Sequence, residues 1–258
     1  MAYINVESRC VVDEDGRARN FANCIARGLP VLKKGLERTD KLAVVAAGPS
    51  VPAFLDEIKT FKNIWAVNGA YGYLIENGIV PSGFVGVDPL PTLSGYFGKA
   101  NKNTTFYMSA QSDPSVFDTL KDYNVEIWVA EQTGFTNEHS DIPYLPGGTT
   151  AATRAPFVAR HLGFRNVTLF GVDSSFGQNR YCYKDGTYPD DSTAPPMRVM
   201  CNGEGPFYSE ICLVKQVSQL DVMMRHQTWG VKFAIRCGGL MDAYLRSPVE
   251  DEDGVYAA

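Results

Sequence analysis

Short apolar runs recur along the chain, separated by stretches in which apolar residues return every three or four positions. Residues 42–46, 64–67, 84–87, 105–109, 126–130, 167–171 and 232–236 are predicted as β-strands. Several of these runs are apolar without alternation, as strands covered on both faces are. Between them, residues 51–61, 70–77, 114–122 and 149–162 carry helical periodicity. A longer amphipathic stretch, 209–228, sets Ile211, Val214, Val217, Leu220 and Met224 on one stripe. Strands alternating with helices predict an α/β, Rossmann-like fold: a mostly parallel sheet flanked by helices in a single domain.

Two regions break this rhythm. Residues 178–206 are rich in Gly, Pro, Asp, Asn and Tyr and read as a long loop, of the kind that forms lids or binding loops. Residues 248–258 carry Glu250, Asp251, Glu252 and Asp253 and read as a flexible acidic tail. The expected organisation is a helical preface over 1–40, a Rossmann-like domain over 41–247 and the tail.

Composition narrows the classes. With 45% apolar and 21% charged residues, the 258-residue chain is neither a disordered nor a fibrous protein. No apolar run approaches the ~20 residues needed to cross a bilayer. Residues 1–16 lack the apolar core of a secretory signal, so a cytoplasmic location is expected. The net charge of −5 argues against nucleic acid as a partner. The six cysteines are scattered, without a CxxC pair or a His at ligand spacing, and read as free thiols rather than a metal site.

The chemistry-bearing residues gather where strands end. AAGPS, residues 46–50, follows the first strand directly. In open α/β sheets ligands bind beyond the carboxyl ends of the strands, near helix N-termini. Gly48 permits a tight turn there, Pro49 follows, and Ser50 is placed to cap the next helix, whose free N–H groups attract anions. Neither a GxGxxG nor a Gly-Lys-Ser/Thr is present, so an ordinary strand-to-helix turn reads equally well. Asn68 ends the second strand in AVNGA and offers a donor and an acceptor to a base or sugar, or an Asx turn. Asp88 closes the apolar GFVGVDPLP, facing a metal or hydroxyl or capping the turn at Pro89. Gly147 and Gly148 precede Thr149, placed to cap a helix from Thr150, and together suggest a phosphate cradle. Pro156 inside that helix predicts a kink or a late start, and His161 near its end reads as a terminal charge or packing residue. Asp173 ends the strand in VTLFGVD, and Ser174, Arg180, Tyr181 and Tyr183 follow, able to hold a phosphate-bearing leaving group.

Taken in order, VVAAGPSVPAFLDEI, WAVNGAYGYLIENGIVPSGFVGVDP and PGGTTAATRAPFVARHLGFRNVTLFGVD resemble the MptE-like family. That family is named after the archaeal 6-hydroxymethylpterin diphosphokinase and includes the glycosyltransferase-like domain of the flagellin-modifying motility accessory factors. A more distant similarity reaches bacterial sialyltransferases through the Gly-Pro-Ser loop. The resemblance covers residues 40–180 and implies a Rossmann-like fold that handles a phosphate-linked donor at its strand ends. Gly48, Pro49 and Ser50 match the donor loop, Asn68 the end of the second strand, and Asp88 the strand-end acid. Gly148 and Thr149 match the small-residue turn, and Asp173 the next strand-end acid.

The sequence also departs from its relatives. The pterin kinases carry further acids near Asp88 to hold Mg²⁺, where this chain has Pro89, Leu90 and Pro91. Other relatives carry a His after the last motif, where Asn179, Arg180, Tyr181, Cys182 and Tyr183 stand; the later His226 lies on the long helix. What the resemblance implies first is a nucleotide-dependent, glycosyltransferase-like transferase. It would join a nucleotide-activated sugar to a small-molecule, glycan or protein acceptor. Gly48 and Gly148 would bind the donor phosphates, Asn68 and Asp88 the nucleotide or sugar, and Arg180, Tyr181 and Tyr183 the leaving phosphate. Asp88, Asp173 or His226 would act as base. The alternatives are a diphosphokinase moving a group from ATP to a pterin-type alcohol, with Mg²⁺ as cofactor, and a non-catalytic module that binds a nucleotide or a partner. The helix over 209–228 leaves an oligomer open.

Overall fold

The computed structural model describes residues 12–132, 134–177, 181–182, 197–225 and 230–246. All seven expected strands are present: β1 (Arg38–Val45), β2 (Asn63–Val67), β3 (Gly83–Gly86), β4 (Thr105–Ser109), β5 (Asn124–Ala130), β7 (Phe164–Phe170) and β10 (Lys232–Arg236). A two-residue strand, β6 (Tyr144–Leu145), extends one edge, and β8 (Met197–Cys201) pairs with β9 (Glu204–Ser209) as a separate antiparallel ribbon. The main sheet runs β10–β7–β1–β2–β3–β4–β5–β6 and every pair in it is parallel.

Alternation along the strands divides the core between two faces. Ala43, Val45, Phe84, Phe106 and Phe170 point to one face, where α1 (Glu14–Ala26), α2 (Leu55–Lys59), α3 (Ala70–Glu76) and α4 (Pro114–Thr119) supply Cys24, Ile58, Tyr71, Leu74 and Val116. Leu42, Val44, Trp65, Val85 and Leu169 point to the other face. There α5 (Ala151–His161), α6 (Ile211–Arg225) and α7 (Gly239–Leu245) supply Ala155, Val158, Leu220 and Met241. Right-handed crossovers explain the division. The chain steps from β1 toward β6 with its helices on one face, then returns past β1 to β7 and β10 with its helices on the other.

Three local expectations are corrected. The stretch 51–61 is not one helix: a 3-10 turn, Val51–Phe54, precedes the five-residue α2. Pro156 does not delay α5, which starts at Ala151 and carries the proline inside it. The tail of the expected long loop is ordered into the β8–β9 ribbon. Asn202 and Gly203 both take positive φ between its strands (48° and 79°), the two-residue turn that suits strand twist. On α6 the buried stripe holds Val217, Leu220 and Met223, with Val214 and Met224 partly buried beside it. His226 lies outside the described residues. No described helix is long and apolar enough to cross a membrane.

Candidate functional site

The direction of winding reverses between β1 and β7, and in such sheets a crevice opens beyond the carboxyl ends of the strands. A cleft of about 1140 Å³ lies there. Gly48, Asn68, Asp88, Gly148 and Asp173, drawn from five separate segments, all line it, as do Pro49, Thr149 and Tyr181. Ser50 is not among the lining residues, and Arg180 and Tyr183 lie outside the described residues.

The β1–β7 side of the cleft is internally bonded. Gly48 donates its N–H to the Gly171 carbonyl at 2.9 Å, and a Cβ at residue 48 would stand 2.3 Å from that oxygen and 2.7 Å from Asp173 Cγ. The glycine is therefore needed for one loop to reach the other. Asp173 is 2% exposed. Its carboxylate accepts the Ser50 N–H at 2.7 Å, the Ser50 hydroxyl at 2.5 Å and the Gly238 N–H at 3.0 Å. It thus ties the loops after β1 and β10 to the end of β7. The expectation that Ser50 caps the next helix is corrected, because its hydroxyl donates to Asp173 and makes no cap bond. Cys182 donates its N–H to the Ala47 carbonyl, which seats Tyr181 at the rim, its ring 6.0 Å from that of Phe176.

The turn after β6 is anchored by two side chains that sequence reasoning missed. Thr150, not Thr149, is the N-cap of α5, in a capping box with Thr153. Thr149 instead donates its N–H to Gln219 Oε1 at 2.9 Å, and its hydroxyl reaches the Cys212 carbonyl and the same Gln219 oxygen. Gln216 accepts the Thr150 hydroxyl at 2.6 Å and donates to Ser174 Oγ at 3.0 Å, linking α6, α5 and the end of β7. Two glutamines three residues apart on an otherwise apolar stripe were the available signal.

The β2–β6 side differs, because its polar groups lack partners. Asn68 sits at φ 49°, and its Oδ1 is buried with no hydrogen-bond partner among the described residues. Asp88 accepts the Leu90 N–H through Oδ1 at 2.9 Å, the turn-capping bond, and burial raises its carboxyl above the usual carboxylate range. Arg154, on the first turns of α5, is 8% exposed and donates Nη2 to the Glu131 carbonyl at 3.2 Å. Desolvation lowers its guanidinium to about 10. Glu131 and Gly148 stand beside it along the cleft. At the end of α5, His161 is half-buried and its pKa is lowered by desolvation, as suits a packing residue.

The sequence model of the MptE-like family, described as 6-hydroxymethylpterin diphosphokinase MptE-like, matches residues 18–179, well over half of the chain. The chain belongs to the MptE-like family. No curated protein matches it. Among solved structures, this MptE-like chain is similar to the MAf glycosyltransferase from Magnetospirillum magneticum AMB-1, with a TM-score of 0.63 and 19% identity. The similarity covers 93% of this chain and 40% of that one, and at this identity it establishes the fold. In the MptE-like chain the matched segment carries Gly48, Asn68, Asp88, Gly148 and Asp173. Gln216 and Gln219 fall beyond it, which is one reason the motifs did not reveal them.

Proposed function

We propose that this MptE-like protein is a nucleotide-dependent transferase of the glycosyltransferase-like kind, with a nucleotide-activated sugar bound in the strand-end cleft. The observation that carries the reading is the convergence of Asn68, Asp88, Gly148 and Arg154 on one cleft at the switch point, where Asn68 Oδ1 and Arg154 Nη1 are buried without a partner among the described residues. Family membership and the glycosyltransferase-like fold agree with it.

In this reading Asp88 is the base. Its raised proton affinity and second carboxylate oxygen, free of protein partners among the described residues, suit proton abstraction. The acceptor hydroxyl gives its proton to Asp88 as its oxygen bonds to the anomeric carbon. The bond from that carbon to the donor phosphate oxygen breaks, and the electron pair leaves on the nucleotide phosphate. The N–H groups of Ala151 and Ala152 at the start of α5, and Tyr181, all along the cleft, would meet the departing charge. Asp173 was expected as an alternative base, but its three hydrogen bonds support a positioning role between loops.

The diphosphokinase alternative calls for Mg²⁺ beside the phosphates. Mg²⁺ of that kind is held by one or two carboxylates together with the phosphates, and among the described residues no larger cluster of His, Cys, Asp or Glu gathers; no step is assigned to a metal. Isothermal titration of the folded protein against CMP-, UDP- and GDP-sugars tests the leading reading. Binding of one of them, lost in Asn68→Ala, is the expected result; heat from ATP alone would move the assignment to diphosphoryl transfer, and no heat from any would remove it.

A further inference from the structure

Arg17 and Arg154 are the two described arginines that are buried, at 6% and 8% exposure, and both line the cleft. Among the described residues neither makes an ion pair. Arg17 Nε and Arg154 Nη1 are buried with no acceptor among the described residues. Arg17 Nη1 donates to the Val12 carbonyl at 3.4 Å, and Arg154 Nη2 to the Glu131 carbonyl at 3.2 Å. Neutral carbonyls are weak partners for a guanidinium, whose planar fork matches phosphate and carboxylate oxygens. A cation withdrawn from water with no carboxylate in ion-pair contact is costly, and the Glu131 charge only partly opposes that cost at Arg154, so two around one cleft need a common explanation.

Their placement says where an anion would sit. One turn beyond Arg17, Asn20 donates to the Pro89 and Gln111 carbonyls, which fixes α1 over the ends of β3 and β4. Arg154 reaches the end of β5. Both therefore stand on the side of Asp88, opposite the bonded loops of Gly48, Ser50 and Asp173. Asp13, Glu14, Glu131 and Glu210 also line the cleft, so no general positive field fills it, and Arg17 and Arg154 are the cationic side chains among its lining residues. Asp13 is already engaged, accepting the Gly16 N–H at 2.7 Å as the cap of α1.

We propose that Arg17 and Arg154 are binding residues for the phosphoryl oxygens of the ligand, held on the β3–β6 side of the cleft and not on the Gly48–Ser50 turn. The first turns of α1 thereby become part of the site, although Arg17 precedes the family-matched segment. The assignment rests on the nucleotide reading for the identity of the ligand, but not for the presence of an anion.

The test titrates the full chain with inorganic pyrophosphate, with UDP and with the nucleotide-sugar panel. Arg17→Gln and Arg154→Gln are each expected to weaken binding by roughly tenfold to a hundredfold, as loss of a charged hydrogen bond does. Their ligand-free melting temperatures should equal or exceed that of the natural chain, because each removes an unpaired buried charge. Arg17→Lys and Arg154→Lys, which keep the charge but lose the fork, should bind with intermediate affinity. Arg236→Gln, which removes a surface charge paired with Glu57, should change nothing. Nucleotide-sugar binding unchanged in both Gln variants would overturn the anion assignment and leave the transferase reading standing. Arginine-dependent binding of pyrophosphate, with no nucleotide sugar bound, would uphold the anion site and remove the transferase reading. No binding of any probe by the natural chain, or a melting temperature that collapses in both the Gln and the Lys variants, would overturn the proposal.

Discussion

Asp88 and Asp173 are the same residue type at corresponding strand ends, yet their surroundings separate them. Asp173 receives three hydrogen bonds, whereas Asp88 receives one and is held above the usual carboxylate range by burial. With its proton affinity raised in the fold, Asp88 favours the folded state fully at acid pH, and that contribution is lost as pH rises through its folded value. Asp88→Asn should therefore melt above the natural protein at pH 7, with the advantage shrinking toward pH 4 in calorimetry. Under the proposed mechanism it should also lower turnover by roughly 10²–10⁴-fold. Parallel melting curves across that range would show that Asp88 titrates as it does in the unfolded chain. Both aspartates stood out in the sequence because each follows a strand too apolar to hold a carboxylate. Their division of labour depends on Ser50 and Gly238, residues far away in the chain.

Among the elements, α5 shows how local signals and tertiary contacts combine. Threonines at 149 and 150 are both plausible caps in sequence, and the sheet decides between them: Gln219 on α6 takes the N–H and hydroxyl of Thr149, leaving Thr150 to close the capping box. Thr150 also donates to Gln216, so its loss removes more than a cap. Thr150→Ala should destabilise the protein by about 1–2 kcal/mol, seen as a lower urea midpoint at an unchanged slope. An unaltered midpoint would mean that neither bond contributes. The β8–β9 ribbon carried a legible signal, Asn202-Gly203, hidden by the polar composition around it. The strand runs were legible throughout, since a parallel sheet covered on both faces demands continuous apolar stretches.

For the whole molecule, α1 matters most, because it covers one sheet face and also brings Arg17 to the cleft. Cys24 on its inner side is fully buried, and burial pushes its thiol up to about 12, against a smaller opposing pull from Arg27. If α1 opens only with the sheet, Cys24 should resist a thiol reagent at pH 8 until global unfolding, while partly exposed Cys201 reacts. Mass-resolved pulse labelling measures this; Cys24 reacting as fast as Cys201 would show that the helix detaches alone. The sequence by itself determined the alternation of strand and helix, the fold class and the five strand-end positions that share the cleft, because hydrophobic periodicity and turn residues are local properties. Only the tertiary structure decided which polar groups are satisfied. Hydrogen-bond partners come from segments distant in the chain, so it took the folded sheet to bond Asp173 and Thr149 to their neighbours and to leave one buried polar atom each of Asn68, Arg17 and Arg154 without a partner among the described residues.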